Sequence, residues 1–359
     1  MRQFAIGFGV LLIWTVLWDA FETIVLPHRV SRKFRLTRFF YVITWPPFRS
    51  AARRREAGNP RDNFLSIYGP LSLLVLLIAW AAALIVGFAL LGWGLGTKLG
   101  MPPGIGGFKA DLYFSATTFV TLGLGDIHPI SDSARILTGI ESGMGFGFLA
   151  LVMGYLPTLF QAFARREVNV SLLDARAGSP PTAAEFIRRH GGDNQGRALA
   201  ELLHEWETWS ADLLETTISY PVLAYYRSQH DNQSWLAGLT AVLDVCALVI
   251  AGAEQGPTRS ARLTFAMARH ALVDVSQVFR LTPARDSDDR LPPEDMVRLR
   301  EIMAAAGLPL RETPETETRL GNLRGMYEPY ANALGEYLLM TLPRWVPPVG
   351  ARDNWQTTE

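Results

Sequence analysis

Cysteine is almost absent from this sequence, and neither sign of charge is in excess. The single Cys246 among 359 residues excludes an intrachain disulfide and any metal site built from several cysteines. The 34 Lys and Arg balance the 34 Asp and Glu, whereas nucleic-acid-binding domains usually carry a basic excess. No catalytic signature or metal-ligand spacing stands out either. We therefore expect no enzyme active site, no metal site, no cofactor and no nucleic-acid partner.

The zero net charge hides two unlike halves. Residues 1–165 carry 15 Lys and Arg against 8 Asp and Glu, a net charge of +7. Residues 166–359 carry 19 against 26, a net charge of −7. The longest uncharged stretch, the 35 residues from Asn63 to Thr97, lies in the first half. This division predicts that the first half lies in a lipid bilayer and the second in water.

Three segments of the first half are long and apolar enough to cross a bilayer, which takes about 20 residues. They are Phe4–Leu26, Asn63–Thr97 and Ile136–Ala164. The first carries Asp19 and Glu22 on one helical face, and the third carries Glu141 as its single charge. Because intramembrane acids normally face protein or water, we expect these carboxyl groups to avoid lipid.

The connection between the first two spans sets the predicted orientation. It runs from Pro27 to Asp62 and contains ten Lys and Arg against two acidic residues. By the positive-inside rule this connection is cytoplasmic. The N-terminus and residues 98–133 are then outside, and the chain after Arg165 is cytoplasmic. The prediction is a multi-pass protein of the inner (plasma) membrane.

The segment ADLYFSATTFVTLGLGDIHP lies between the second and third spans and predicts a re-entrant loop. It is too polar for a span and too apolar for an ordinary external loop. Irregular backbone at membrane depth persists only where it lines water or is buried in protein. Gly123 and Gly125 permit positive φ on alternate residues. Carbonyls from Thr121 to Leu124 would then face one axis, where four copies would replace the hydration shell of a cation.

The sequence TLGLGD at residues 121–126 resembles the TVGYGD signature of potassium channels, and it lies between two spans as in that family. The resemblance covers about residues 64–165. It implies an ion-binding selectivity filter formed by Thr121, Leu122, Gly123, Leu124 and Gly125. It also implies an acidic ring of Asp126 at the outer mouth. The pore helix, roughly Asp111–Val120, would direct its negative C-terminal end toward the ion path.

Three positions depart from that signature. Val120 replaces a threonine, Leu122 replaces valine, and Leu124 replaces the tyrosine that braces the filter from behind. Sodium channels place acidic or lysine side chains in the filter, and this sequence has neither between Thr117 and Gly125. The prediction is therefore a potassium-selective or potassium-preferring pore.

The third span contains two candidate gating residues and one ambiguous carboxyl group. By the resemblance, Gly145 lies at the inner-helix hinge and Pro157 near the cytoplasmic gate. Glycines in membrane helices also mark close packing, which is the alternative for Gly145. Glu141 is either a hydrogen-bonded carboxyl behind the pore helix or a cation site facing the cavity.

The second half predicts an all-α bundle. Ser179 before two prolines is typical of a helix N-cap, and helical patterns follow at 181–190, 194–218, 221–229, 232–254, 258–281, 293–306 and 313–342. Trp235–Ala253 is either a soluble core helix or a fourth span. The aromatic stretch YPVLAYYRSQHDNQSW is either a ligand pocket or aromatic core. A glycine-rich βαβ unit is missing, which disfavours a nucleotide-gated domain.

Together these features predict an all-α membrane protein of potassium-channel type. Residues 1–63 form an N-terminal span and basic connection, 64–165 the pore module of outer helix, pore helix, filter and inner helix, and 166–359 a soluble helical cytoplasmic domain. We expect a homotetramer that transports K⁺ and is regulated through an unidentified ligand of the cytoplasmic domain. The alternative is a membrane-anchored receptor or enzyme with a non-conducting pore.

Overall fold

A computed structural model describes residues 1–26, 35–104, 106–191, 196–229, 232–348 and 350. Arg29, Arg32 and Lys33 of the basic connection lie outside the described residues. The helices are α1 (Arg2–Ala20), α2 (Leu36–Arg53), α3 (Asn59–Ser66), α4 (Tyr68–Leu95), α5 (Phe108–Phe119), α6 (Asp132–Ala177), α7 (Ala183–His190), α8 (Arg197–Ser219), α9 (Trp235–Ala251), α10 (Thr258–Val278), α11 (Pro293–Ala305), α12 (Pro314–Gly325) and α13 (Glu328–Leu338). Two short strands, β1 (Leu99–Gly100) and β2 (His128–Pro129), pair antiparallel.

The chain divides into two compact units. The membrane unit consists of Met1–Phe48 and Pro70–Phe160, and the helical unit consists of Arg49–Gly69 and Gln161–Glu359. The helical unit therefore contains more than the C-terminal half. It includes the residues that lead into α4 and those with which α6 ends.

Within the described residues, three helical segments are long and apolar enough to cross a membrane, namely Arg2–Val25, Asn59–Leu95 and Asp132–Ala177. They overlap the three spans predicted from the sequence, although the first predicted span ends one residue later and the second two residues later. The prediction of an all-α membrane protein is confirmed. The first segment ends in a π-helical turn at Phe21–Val25. The third, α6, has 46 residues and is about 69 Å long at 1.5 Å per residue. It therefore extends well beyond a hydrocarbon core about 30 Å thick.

Glycines allow α1 and α4 to pack closely in the membrane unit. A Cβ atom at Gly9 would lie 2.7 Å from the carbonyl oxygen of Gly87, and one at Gly94 would lie 2.6 Å from Cγ1 of Ile6. Early residues of α1 thus meet late residues of α4, so the two helices run antiparallel. Small residues are the usual means of such close approach between membrane helices.

The two acidic residues of the first span are buried in protein. Oδ2 of Asp19 accepts hydrogen bonds from the Thr37 backbone N–H at 3.0 Å and from Trp80 Nε1 at 3.2 Å. Glu22 accepts a hydrogen bond of 2.7 Å from Trp18 Nε1. Asp19 therefore bonds α1 to both α2 and α4, as expected for a carboxyl group that must avoid lipid.

The helical unit is organised around α9, whose 17 residues are all buried. Helices α7, α10, α12 and α13 pack against it. The one charged residue of α9, Asp244, pairs with Arg290 at 2.6 Å between Oδ1 and Nη2. A helix that is apolar on every side and covered by its own chain is a core helix. The structure thus favours the core-helix interpretation of Trp235–Ala253.

Three local predictions for the helical unit are wrong. The N-cap of α7 is Thr182, whose hydroxyl accepts from Glu185 N–H at 3.3 Å, and not Ser179. The predicted helix 221–229 is a short 3₁₀ turn, Pro221–Tyr225, and the carbonyls of Leu223 and Tyr226 at its end accept hydrogen bonds from Arg166. The predicted helix 313–342 is two helices, α12 and α13, because Pro329 cannot donate a backbone hydrogen bond and instead starts α13.

Candidate functional site

The predicted pore helix corresponds to α5, Phe108–Phe119. It begins after Gly107, which has a φ of +70°, and Asp111 in its first turn interacts favourably with the helix dipole. Past its end, the backbone N–H groups of Leu122 and Gly123 donate to the Thr117 carbonyl at 2.8 and 3.4 Å. The last turn of α5 therefore holds the first part of the predicted filter in place.

The backbone of the predicted filter alternates in conformation. Thr121, Gly123 and Gly125 have φ values of 58°, 57° and 80°. Glycine adopts such values without steric penalty, whereas a threonine there costs roughly 1–2 kcal/mol. Sequence reasoning pointed to the two glycines and missed Thr121, because no residue preference marks threonine for this conformation.

The whole filter segment is exposed in the single chain. Leu122 and Leu124 expose 58% and 61% of their surface, and Val120 before them exposes 60%. Thr121, Gly123, Gly125 and Asp126 are exposed as well. Three large apolar side chains are thus exposed within one short loop. Such exposure is unusual for a loop of an isolated chain. Nothing within the described part of the same chain covers this surface.

Two contacts hold the segment that follows the filter. The hydroxyl of Tyr113 on α5 donates to Oδ2 of Asp126 at 3.0 Å, which fixes the carboxylate beside the pore helix. The strand pair then places His128 opposite Gly100. A Cβ atom at Gly100 would lie 2.5 Å from His128 Nε2, so any other residue there would displace the His128 ring. Tyr113 was not singled out from the sequence.

The structure places Glu141 behind the pore helix. Its side chain is buried, and its Oε1 hydrogen-bonds with the hydroxyl of Ser115 on α5. The same Ser115 Oγ lies 2.7 Å from the carbonyl oxygen of Ile85 on α4. One serine of the pore helix therefore contacts both the outer and the inner helix.

Gly145 lies against the end of the pore helix. A Cβ atom built on it would lie 1.9 Å from the carbonyl oxygen of Phe119, so any side chain would displace α5 or α6. This geometry favours the close-packing interpretation of Gly145. Helix α6 continues without interruption through both Gly145 and Pro157, and a hinge at either residue stays a prediction.

A second cluster lies in the helical unit, at the loop Tyr220–Ser228. The buried guanidinium of Arg166, near the end of α6, donates to the carbonyls of Leu223 at 2.7 Å and Tyr226 at 2.9 Å. Arg166 also pairs with Glu167 at 3.1 Å. These are the carbonyls that the predicted helix 221–229 would have used.

The same loop contacts the segment that leads into α4. A Cβ atom at Gly69 would lie 2.5 Å from the Tyr226 ring, and Nη1 of Arg227 lies 3.7 Å from Oδ1 of Asp62. Burial lowers the pKa of the Arg227 guanidinium to about 10 and raises the pKa of the Tyr226 hydroxyl to about 12. Both groups thus keep their protons at neutral pH. Val222–Tyr226 of the aromatic stretch are buried core between the start of α4 and the last turns of α6.

Comparison with known proteins assigns a class to the membrane unit. Residues 73–162 match a family model described as an ion channel, which is about a quarter of the chain. Most of α4, all of α5, the filter segment and much of α6 lie within the match. Comparison with curated proteins and with solved structures finds no significant match. The match and the three spans support a multi-pass membrane protein of the ion channel class.

Proposed function

We propose that this chain is the subunit of a homotetrameric potassium-selective or potassium-preferring channel, with K⁺ as the transported ion. The observation that carries the proposal is the alternation of positive φ at Thr121, Gly123 and Gly125. Alternating left-handed residues turn successive carbonyls toward the same side of the chain. Rings of such carbonyls can replace the hydration shell of a potassium ion.

The exposure of the loop supports assembly around it. Leu122 and Leu124 would stay in contact with water or lipid in a single chain, and one loop cannot surround an ion. Closed rotational symmetry is the usual solution for soluble and membrane oligomers alike. Four copies would cover the leucine side chains against neighbouring subunits and direct the backbone carbonyls inward.

The charges around the loop fit a cation pathway with carbonyl ligands. No acidic or lysine side chain occurs between Thr117 and Gly125, so the ligands within the filter are carbonyls and the Thr121 hydroxyl. Asp126, held by Tyr113, would form a ring of carboxylates at the outer mouth. Such a ring raises the local concentration of cations.

The remaining elements fit regulation from the cytoplasmic side. The basic connection orients the N-terminus outward and the helical unit inward. Because the loop Tyr220–Ser228 contacts residues at the start of α4 and the end of α6, a ligand of the helical unit could act on both helices. Gly145 and Pro157 are the candidate hinge positions. No feature of the described residues favours the alternative receptor or enzyme.

The test is potassium flux through purified protein in liposomes, with sodium as the competing ion. Gly123→Ala should abolish flux, because a methyl group disfavours the positive φ by about 1–2 kcal/mol at each symmetric position. Gly7→Ala is the matched control, since Gly7 lies in α1 with open space around its Cβ position. Both variants should assemble as tetramers by native mass spectrometry. Normal flux through Gly123→Ala would overturn the proposal.

A further inference from the structure

Three helices of the membrane unit meet at one buried polar contact behind the predicted filter. Ser115 of α5 is 2% exposed and Glu141 of α6 is 3% exposed. The Ser115 Oγ atom is within hydrogen-bonding distance of the Ile85 carbonyl of α4 and of Glu141 Oε1. Burying a polar group costs free energy unless the group is hydrogen-bonded, and each hydrogen bond requires one donor proton.

Counting protons identifies the donor at each contact. A backbone carbonyl can only accept, and a serine hydroxyl has one proton to donate. At 2.7 Å from the Ile85 carbonyl oxygen, the Ser115 proton is used there. The contact between Ser115 and Glu141 then needs a proton from Glu141. With an ionised Glu141, two oxygen lone pairs would face each other in a buried site.

Among the described residues that line the cavity beside Glu141, no cationic side chain is present to compensate an ionised carboxylate. Glu141 lines this cavity of about 20 Å³, whose polar neighbours are Asp111, Thr97, Ser115 and Thr138. The hydroxyls of Thr97 and Thr138 already donate to the carbonyls of Gly92 and Ala134. Their free lone pairs can only accept from the cavity side.

The other charged groups near this cavity come from α5 and α1. Asp111 of α5 is the second titratable group in the lining, and Arg2 of α1 interacts electrostatically with Asp111. Within the described part of the chain, α4 and α6 contribute no further charged side chain to the lining. The one nearby cation is thus associated with Asp111 rather than with Glu141.

A second contact between the same two helices lies one turn further along. Ser115 and Phe119 are four residues apart on α5, as are Glu141 and Gly145 on α6, so each pair shares a helix face. The carbonyl of Phe119 lies against Gly145. Helix α5 is therefore fixed on α6 at two consecutive turns, and its second contact lies two residues before Thr121.

We propose that Glu141 binds one proton as a carboxylic acid, and that its O–H group, donated to Ser115, positions the pore helix and with it the filter. The consequence for selectivity rests on the proposed function, because it requires Thr121–Gly125 to be the ion path. Glu141 acts as a positioning residue and does not contact the ion. It supports the filter from the inner helix, in a chain whose Leu124 has no hydroxyl group to do so.

The proton itself is tested without any ion flux. Infrared difference spectra of the reconstituted wild-type tetramer should contain a carboxylic-acid C=O band near neutral pH that is missing from Glu141→Gln. Asp111→Asn is the matched control, because it removes the other carboxyl group of the cavity and should keep the band. A wild-type spectrum with no acid band, or a band lost with Asp111→Asn alone, would overturn the proposal.

The positioning role is tested by the potassium-over-sodium flux ratio. Glu141→Leu and Ser115→Ala should each lower the ratio about tenfold, as expected for one lost buried hydrogen bond. The double variant should lose no more than either single variant, since both remove the same bond. Glu141→Gln retains an N–H donor and should keep most of the ratio.

The pH dependence of the potassium-over-sodium flux ratio distinguishes an effect of the Glu141 proton from an effect of side-chain packing. As the pH rises, wild-type protein should lose potassium preference when Glu141 gives up its proton, whereas Glu141→Gln should not respond. An equal response of both proteins would overturn the positioning role. If the acid band is present but no variant or wild-type protein conducts, the proposed function fails and the proton assignment stands.

Discussion

The two units of this protein differ in how much of their apolar helices is buried within the chain. In the most apolar part of α6, 11% of the residues are buried within the chain, and Ile136, Phe146 and Met153 expose 66%, 66% and 59% of their surface. In α9, every residue is buried. An apolar surface left open by its own chain needs another environment, which is lipid or further copies of the chain. The helical unit completes its core alone, whereas the membrane unit does not.

Two buried carboxyl groups, Asp244 of the helical unit and Glu141 of the membrane unit, also differ in their partners. Asp244 in the helical unit has Arg290 beside it and accepts a hydrogen bond from Tyr327. Glu141 in the membrane unit has a neutral serine as its partner. A buried ion pair needs several well-placed polar partners to offset desolvation. The helical core around Asp244 supplies such partners, whereas the contact between α5 and α6 does not.

The sharpest test is whether Arg54 and Pro103, one position of each unit, lie on opposite sides of the membrane. In a Cys246→Ala background, a cysteine at Arg54 should resist impermeant thiol reagents in intact cells, and a cysteine at Pro103 should react. Labelling after membrane permeabilisation is the control and should reach both positions. Burial raises the pKa of the native Cys246 thiol, so this thiol should be unreactive and its removal should change the labelling little. Reaction at Arg54 and protection at Pro103 would reverse the proposed orientation.

The next largest effect should come from the buried ion pair of the helical unit. Asp244→Asn leaves Arg290 buried without its closest carboxylate, and we expect a loss of about 3–5 kcal/mol in the free energy of unfolding. Denaturant unfolding of the full chain in detergent, followed by tryptophan fluorescence, measures this loss.

The matched control for Asp244→Asn is Glu254→Gln. Glu254 pairs with Arg311 at 3.4 Å, and both side chains are at least half exposed. Exposed pairs contribute about 1 kcal/mol or less, so this change should be small. Equal losses of unfolding free energy in the two variants would mean that the buried Asp244–Arg290 pair contributes no more than an exposed ion pair.

A smaller effect is expected at the contact between α5 and α6. Gly145→Ala places a methyl group on the Phe119 carbonyl and should cost about 1–3 kcal/mol, as other overpacked sites do. Because the displaced turn leads into Thr121, the variant should lower potassium flux in liposomes more than it lowers tetramer stability. Gly321→Ala on α12 is the control, since its Cβ position is open. Normal flux in Gly145→Ala would show that α5 and the filter tolerate displacement.

The sequence was most informative where a feature depends on neighbouring residues alone. The three membrane spans follow from the length of apolar runs, and the position of α5 follows from a short amphipathic segment before a glycine motif. The interpretation of Trp235–Ala253 stayed open because an apolar run of that length suits either a span or a core helix. Only the helices packed around α9 decide between the two.

Other features depend on residues that lie far apart in the chain. The Leu223 carbonyl in the 3₁₀ turn accepts a hydrogen bond from Arg166, which lies 57 residues earlier in the chain. The hydrogen bond that holds Glu141 against α5 is formed with Ser115, which lies 26 residues earlier in the chain. Charge pattern and hydrophobic period describe one helix at a time. They do not report which partner is available across a helix interface.

The sequence by itself therefore determined the class of protein, because crossing a bilayer and forming a re-entrant loop demand apolar length and glycine at fixed spacing. The tertiary structure decided how the loop is supported and which residues hold neighbouring helices together. Gly145, Ser115 and Tyr226 act through contacts with one particular neighbour, and such contacts exist only after the helices have packed.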